Sequence, residues 1–199
     1  DRTLEILNDF NGKYHNVKIL LDHGTRATAR QKGIENVTAE WFMFVDSDVV
    51  LCRDWFKKAQ KYIQNDVAAI WGIEVWSTIT NPKTLKMFFI TTRKIFEVRG
   101  GTHDTLIRSS LIKDIKIPDG LHVFEDAYIK DWLTDKGYKV VACYSPFCVH
   151  YRSPEVWTLS GSLGLIAEAF KFGSPQLITR LLLAYGFYTA YSISQLLSR

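Results

Sequence analysis

Two carboxylates one residue apart follow a short apolar segment of the chain. Asp46 and Asp48 flank Ser47 directly after the apolar segment Trp41–Val45. Such oxygen ligands suit Mg²⁺ and Mn²⁺, and a cation held by only one or two carboxylates keeps coordination positions free for phosphates. The alternative is a solvated turn, or the cap of a helix that begins near Asp54. The D-x-D pattern therefore predicts a divalent-metal site at the carboxyl end of a strand, where α/β folds bind their ligands.

Composition limits the kind of protein that carries this pattern. With 199 residues, 47% of them hydrophobic and 23% charged, the chain can form one globular domain with a substantial core. The aromatic content of 14% is high and suits sugar stacking, a membrane interface or a large core. The formal net charge is only +4, and the basic residues are scattered, which argues against a nucleic-acid partner.

The cysteines and the first residues bear on location and completeness. Cys52, Cys143 and Cys148 form no C-x-x-C pair, and their odd number favours a reducing compartment over a disulfide framework. We therefore expect a cytoplasmic protein. The chain starts at Asp1 without an initiator Met, as a fragment of a longer protein would.

Patterns typical of strands and helices alternate through the first three quarters of the chain. The predicted strands are residues 17–21, 41–45, 67–75, 105–107, 139–144 and 147–151. The predicted helices are residues 3–10, residues 25–36 with Thr25 as N-cap, a helix from near Asp54, and a helix from Asp126 that ends at Gly137. This alternation predicts an α/β fold with a mostly parallel sheet and helices on both faces.

Residues 153–199 differ from the rest because they are aromatic and aliphatic with few charges. The stretch 177–197 is long enough to span a bilayer, but Arg180, Gly186 and Gln195 make it a poor membrane span. We expect an amphipathic helical segment that lies at a membrane interface or packs in a homo-oligomer. Helices packed on the domain's own core are the alternative.

The order of the motifs resembles the inverting, metal-dependent family 2 glycosyltransferases of the GT-A fold. The resemblance covers about residues 1–152 and rests on five groups of residues. These are Gly24 with residues 29–34, residues 41–48, Gly100-Gly101-Thr102 with Arg108, Glu125-Asp126 before a helix that ends at Gly137-Tyr138, and His150-Tyr151-Arg152. It implies a Rossmann-like GT-A domain over residues 1–152, followed by the helical segment 153–199.

The sequence departs from the family's pattern at its start. Members of the family have a first strand and an acidic turn, which hold the nucleotide base, before a helix that begins like residues 1–5. Here the chain starts at that helix. We expect that a segment precedes it in the full protein, because a sheet without its central strand would expose unpaired backbone groups. The other explanation is that the base is bound in a different way.

The resemblance implies a metal-binding group and a cofactor, Mn²⁺ or Mg²⁺. Transfer from a nucleotide sugar builds charge on the leaving pyrophosphate, which a divalent cation neutralises. Asp48 is the first choice as direct ligand, and Asp46 contacts the ribose or a metal-bound water. His150 is the third member of the metal group; an ordinary core or surface histidine is the alternative.

The resemblance also implies a base, since inversion by direct displacement requires proton removal from an acceptor hydroxyl. Asp126 is the first choice. Glu125 is the alternative base or orients the acceptor, and both residues could instead only cap the following helix. With a lipid phosphate as acceptor no base is needed, and Asp126 would position the substrate.

The remaining residues of the matched motifs fall on the donor or the acceptor side. The nucleotide-sugar group comprises Arg30, Asp46, Ser47, Asp48, Gly100, Gly101, Thr102 and Arg152. Arg30 would reach the base or a diphosphate oxygen, Arg152 would contact pyrophosphate, and the glycines would form a tight loop. The weaker acceptor-side candidates are His103, Asp104 and Arg108.

Taken together, the resemblance implies a hexosyltransferase that moves a sugar, with inversion, from a UDP-type or GDP-type donor to a polyprenyl-linked or other glycan acceptor. We expect it to be peripheral on the cytoplasmic face of the membrane. The alternatives are a metal-dependent nucleotidyltransferase or phosphohydrolase that uses the same aspartates, and a non-catalytic nucleotide-sugar-binding module.

Overall fold

The computed structural model describes residues 2–14, 16–79, 81–83, 85–86, 100–122 and 124–151, with 167–168, 170–172, 178–179 and 182. The helices are α1 (Thr3–Lys13), α2 (Arg26–Glu35), α3 (Trp55–Ala59, followed by the 3-10 turn Gln60–Tyr62) and α4 (Glu125–Asp135). The strands are β1 (Trp41–Val45), β2 (Val49–Leu51), β3 (Val67–Trp76), β4 (Asp104–Arg108, followed by the 3-10 turn Ser109–Leu111) and β5 (Lys139–His150).

The strands form one sheet in the spatial order β1-β4-β3-β5-β2. β4 lies antiparallel between β1 and β3, β3 is parallel to β5, and β2 is antiparallel to β5. β1, β3 and β5 therefore run in the same direction. We call the edge where they end the carboxyl edge; Val45 pairs there with Asp104, and His150 pairs there with Trp76 and Val49.

The α/β class is confirmed, but the sheet is mixed and not mostly parallel. Among the described strands, one pairing is parallel and three are antiparallel. β2 begins only a few residues after β1, too few for the crossover connection that a parallel neighbour requires. β2 therefore turns back and pairs with β5, whose outer side is free for it.

Three of the predicted strands differ from the structure. Residues 17–21 form no strand, and Leu20 and Leu21 are 40% and 59% exposed. None of the five described strands pairs with them, and an apolar pattern becomes a strand only beside a neighbour. Residues 139–144 and 147–151 were predicted as two strands, but β5 is continuous across an irregularity at which Gly72 pairs with Cys143 and Ile73 with Phe147.

Apolar side chains cover both faces of the sheet, as predicted. The larger core packs α2, α4 and the segment after β4 on one face; its members include Ala27, Ile34, Ala69, Ile107, Ile112, Ala127 and Leu133. On the other face Trp55 and Ala59 of α3 pack against Leu106 and Met43. Successive residues of β4 thus serve opposite cores, since side chains alternate along a strand.

Most of residues 153–199, and Arg152, lie outside the described residues. Within the described part of this segment, Phe172 and Ile178 pack against the larger core, whereas Phe170 and Leu182 are 63% and 50% exposed. Glu168 accepts a hydrogen bond from the backbone N–H of His122. The described helices include none that is both long and apolar enough to cross a membrane.

Candidate active site

Three side chains form a hydrogen-bonded row at the carboxyl edge. His150, the last residue of β5, is almost fully buried. Its Nε2 lies 3.0 Å from Oδ2 of Asp48, and its Nδ1 lies 2.8 Å from Oε2 of Glu74 on β3. The side chain of Asp48 is half exposed, so the row runs from the sheet interior to its surface. The predicted proximity of Asp48 and His150 is therefore found in the structure.

The Asp48 and His150 side chains form a donor set that fits a divalent cation. Asp48 offers an exposed carboxylate oxygen, and His150 offers Nε2 beside it. The other ring nitrogen of His150, Nδ1, contacts the carboxylate of Glu74. Metal-bound histidines almost always have such a partner at the second nitrogen. Carboxylate oxygens suit Mg²⁺ and Mn²⁺, whereas imidazole nitrogens suit several transition metals.

The other aspartate of the D-x-D turn is paired with an arginine. Arg30 of α2 donates from one terminal nitrogen to Oδ1 of Asp46 and, at 3.1 Å, to the hydroxyl of Thr102. Its guanidinium also lies over the ring of Phe44, 4.9 Å from the centroid. Arg30 therefore joins α2, the D-x-D turn and the loop before β4. The side chain of Asp46 is 29% exposed and that of Asp48 50%, so Asp48 is the more accessible of the two carboxylates. Ser47 lies exposed between them.

The loop before β4 needs glycine at two consecutive positions. Gly100 has φ +78°, and a Cβ there would lie 3.4 Å from the carbonyl oxygen of Asp126. A Cβ at Gly101 would lie 2.3 Å from Nε2 of His103. Glycine thus lets this loop touch the first turn of α4 while Thr102 contacts Arg30. The arrangement brings the predicted base to the same side of the molecule as the D-x-D turn.

The two adjacent carboxylates at the start of α4 have different surroundings. Glu125 is 4% exposed, and its buried Oε2 has no hydrogen-bond partner among the described residues. Burial, and then the charge of Asp126, raise the pKa of Glu125 to about 7. Asp126 is less buried and accepts a 2.7 Å hydrogen bond from the backbone N–H of Ala127. With a pKa of about 7, the Glu125 carboxyl can gain or lose a proton near neutral pH.

A second polar cluster is buried beneath the edge. Asp104 is fully buried and accepts hydrogen bonds from Nε1 of Trp55 at 2.8 Å and from the backbone N–H of Gly72 at 3.1 Å. Nδ1 of His103 lies 2.8 Å from Oδ1 of Asp104 and 3.5 Å from Sγ of Cys148. Burial alone lowers the pKa of an imidazole, but the hydrogen bonds to Asp104 and Cys148 raise the pKa of His103 well above its ordinary value.

This buried cluster changes the interpretation of two acceptor-side candidates. Among the described residues, His103, Asp104 and Cys148 form one group whose potential metal-ligand atoms lie within 4.8 Å of one another. Its members hydrogen-bond to each other and to the strands around them. Asp104 has no exposed surface with which to contact an acceptor. His103 is 8% exposed and lies beneath Gly101.

The structure separates Arg108 from the other predicted residues. It ends β4, and because β4 is antiparallel to β1 and β3 it lies at the opposite edge of the sheet, where it pairs with Trp41. It forms an ion pair with Glu40 at 3.3 Å and donates to the carbonyl oxygen of Gln64 at 3.1 Å. The structure therefore does not bring Arg108 together with the other predicted site residues.

Sequence reasoning missed Glu74. It is the one charged residue of β3, whose sequence is VAAIWGIEVW, and its side chain is only 16% exposed. A single acidic residue in an otherwise apolar strand was the signal that could have identified it, because an unpartnered carboxylate is costly to bury.

Several solved structures are similar to this chain. The mannosyltransferase PcManGT from Pyrobaculum calidifontis, solved with GDP-Man and Mn²⁺, matches with a TM-score of 0.65 and 16% identity over 92% of this chain and 56% of its own. TarS from S. aureus matches with a TM-score of 0.55 and 20% identity over 92% and 58%. A mycobacterial protein matches with a TM-score of 0.52 and 14% identity over 88% and 62%. The chain thus spans less than two thirds of each of these structures.

These similarities identify the class of fold as that of the GT-A glycosyltransferases. The sequence profile of glycosyl transferase family 2 matches residues 1–114, more than half of the chain. The chain therefore belongs to glycosyl transferase family 2, and the resemblance drawn from its motifs is confirmed. A search among curated proteins found no match.

Proposed function

We propose that this protein transfers a sugar from a nucleotide-sugar donor to an acceptor, with inversion, using a divalent cation bound at Asp48 and His150. Family membership supports glycosyl transfer, and one structural relative was solved with GDP-Man and Mn²⁺. The observation that carries the proposal is the row of Asp48, His150 and Glu74 beside the pair of Arg30 and Asp46. A cation site and a guanidinium at one edge suit a diphosphate.

The donor's diphosphate would lie between these groups. When bound, the cation neutralises the charge that builds on the leaving diphosphate. Asp48 and His150 would hold it, whether it is Mn²⁺ or Mg²⁺. Arg30 would present its guanidinium to a diphosphate oxygen while it keeps its contacts to Asp46 and Thr102. Gly100 and Gly101 let the loop backbone approach the donor sugar closely.

The proton of an acceptor hydroxyl would pass to a carboxylate in the first turn of α4. Asp126, the more accessible carboxylate, is the proposed base, since a base must reach a substrate that arrives from solvent. Glu125 either lies behind Asp126 and supports it, or acts as the base in its place. We also propose a lipid-linked acceptor at the cytoplasmic face of the membrane, supported by the exposed side chains of Phe170 and Leu182. The donor is of the UDP or GDP type.

The test measures sugar transfer and nucleotide release with Mn²⁺ and a panel of UDP-sugars and GDP-sugars. Asp48→Asn should lower turnover at least tenfold, which is about 1.4 kcal/mol of transition-state stabilisation. It should still fold, because the backbone carbonyl of Asp48, which accepts from Tyr151 N–H at 2.8 Å, is unchanged. Asp66→Asn is the matched control, since Asp66 is an exposed aspartate ion-paired with Lys139 outside the site.

The outcomes separate the alternatives. Metal-dependent sugar transfer that Asp48→Asn removes supports the proposal. Nucleotide release without sugar transfer, for every donor and acceptor, would indicate a nucleotidyltransferase or phosphohydrolase. Donor binding without turnover would indicate a binding module, and wild-type turnover in Asp48→Asn would exclude Asp48 as a metal ligand.

A further inference from the structure

We propose that Glu74 is the positioning residue of the metal site: it fixes the ring orientation and the tautomer of His150, and so sets the affinity for the cation. The proposal rests on the proposed metal-binding role of Asp48 and His150. Glu74 lies on β3 and touches His150 across the parallel pairing of β3 with β5.

Glu74 is an unusual residue at its position, because it is a mostly buried carboxylate. Its side chain is only 16% exposed and lies in a strand that has no other charged residue. Burying a carboxylate costs free energy unless hydrogen bonds and charges compensate for it. Here the compensation comes from groups at the carboxyl edge, so the glutamate and those groups hold each other in place.

Both carboxylate oxygens of Glu74 have a partner. Oε1 accepts a 3.0 Å hydrogen bond from Nε1–H of Trp76, and Oε2 lies 2.8 Å from Nδ1 of His150. On its other side, Oε2 is 3.9 Å from Nε2 of His103, which belongs to the buried cluster. A side-chain amide offers one acceptor oxygen and an NH₂ donor, so glutamine cannot accept from both donors at separate oxygens. The arrangement therefore requires a carboxylate.

This contact determines which nitrogen of His150 faces the cation site. An ionised carboxylate only accepts hydrogen bonds, so Nδ1 of His150 must carry a proton to bond with Glu74. With Nδ1 held at Glu74, Nε2 is the nitrogen that lies 3.0 Å from Asp48 and therefore the one that would bind a cation. Without Glu74 the ring would lose its partner at Nδ1 and could adopt the other tautomer, and ligand partners of this kind typically change metal affinity 10-fold to 100-fold.

The experiment compares Mn²⁺ affinities, measured by electron paramagnetic resonance of the free ion, so that no turnover is required. Glu74→Gln should weaken Mn²⁺ binding by about 10-fold to 100-fold. Glu40→Gln is the matched control, because Glu40 is an exposed glutamate that pairs with Arg108 at the opposite edge of the sheet. Wild-type affinity in Glu74→Gln, or an equal loss in Glu40→Gln, would overturn the proposal.

A second measurement tests positioning without a variant. Nitrogen-15 NMR of the metal-free wild-type protein reports which ring nitrogens of His150 carry protons. A proton on Nδ1 is expected, and a ring protonated on Nε2 alone would overturn the proposal, even if Glu74→Gln fails to fold. Asp48→Asn separates the two hypotheses. If it binds Mn²⁺ like the wild type, the metal site itself is wrong; if it loses Mn²⁺ while Glu74→Gln keeps it, only the role of Glu74 is wrong.

Discussion

At the scale of single residues, Glu125 and Asp126 differ although they are neighbours. Both stand in the first turn of α4, but successive helical side chains point in different directions, so one enters the core and the other stays accessible. Glu125 loses hydration and Asp126 keeps part of it. Burial therefore raises the pKa of Glu125, whereas Asp126, which a substrate can reach more easily, is the proposed base.

We expect Asp126→Asn to lower transfer to a hydroxyl acceptor by about 100-fold to 10,000-fold, the usual contribution of a general base. The variant keeps the shape of the side chain, so Mn²⁺ and donor binding should persist, as calorimetry can check. Glu125→Gln serves as the comparison. If Asp126→Asn transfers normally and Glu125→Gln does not, Glu125 is the base; if both transfer normally, the acceptor arrives already ionised.

The burial of Glu125 also predicts how stability depends on pH. Its pKa is raised from 4.5 to about 7, so the folded state holds this proton more tightly than the unfolded state does. The cost of ionising it in the fold therefore grows as pH rises from about 4.5 to about 7, to at most about 3 kcal/mol. We expect Glu125→Gln to become more stable relative to wild type between pH 5 and pH 8, as measured by urea unfolding. A stability difference that is the same at both pH values would contradict this.

At the scale of elements, Asp104 links four of them. It begins β4, accepts from Trp55 of α3, contacts β3 at Gly72 and bonds to His103, which contacts Cys148 of β5. The link requires glycine in β3, since a Cβ at Gly72 would lie 2.3 Å from Oδ2 of Asp104 and 2.9 Å from the backbone oxygen of Pro146. This packing supports the site from beneath.

Gly72→Ala should therefore lower the free energy of unfolding by about 1–3 kcal/mol, the usual cost of overpacking a core. Gly33→Ala in α2 is the contrasting variant. A Cβ at Gly33 would make an ordinary 3.7 Å contact with the ring of Phe44, so it should stabilise by about 0.5–1 kcal/mol, as alanine does in a helix. Urea denaturation of both variants checks the pair, and equal effects would refute the argument.

At the scale of the whole molecule, the two edges of the sheet have different roles. The carboxyl edge carries Asp46, Asp48, Glu74 and His150, whereas Arg108 and Glu40 pair at the opposite edge. Residues of the segment 153–199 contact the larger core through Phe172 and Ile178 and leave Phe170 exposed. Exposed apolar side chains such as that of Phe170 suit a membrane interface or a second copy of the chain.

We expect the full chain to float with anionic liposomes at low salt and less so at high salt, because basic residues strengthen such binding. Phe170→Ser should weaken flotation about tenfold or more, since burying a Phe side chain contributes about 1.5–3 kcal/mol. Phe10→Ser, which changes an exposed phenylalanine of α1, is the control. A full chain that stays soluble at low salt contradicts the membrane prediction, and an oligomer that dissociates in Phe170→Ser would favour a subunit interface.

The sequence by itself determined the features that depend on neighbouring residues. Thr25 caps α2 because its side chain accepts from the N–H of Thr28, and Gly137 follows α4 with φ +82° because glycine adopts that conformation without strain. β1 has the predicted bounds because Trp41–Val45 is a compact apolar segment followed by a polar turn. The order of these local motifs was enough to identify the family.

Only the tertiary structure decided which side chains meet. Asp48 and His150 are 102 residues apart in the chain, and they meet because β2 turns back and pairs with β5. The antiparallel direction of β4 buries its first residue, Asp104, beneath the site and carries Arg108 to the other edge. Glu74 contacts His150 because of the register of β3 against β5. Strand direction and register are set by contacts between distant segments, so local sequence patterns do not specify them.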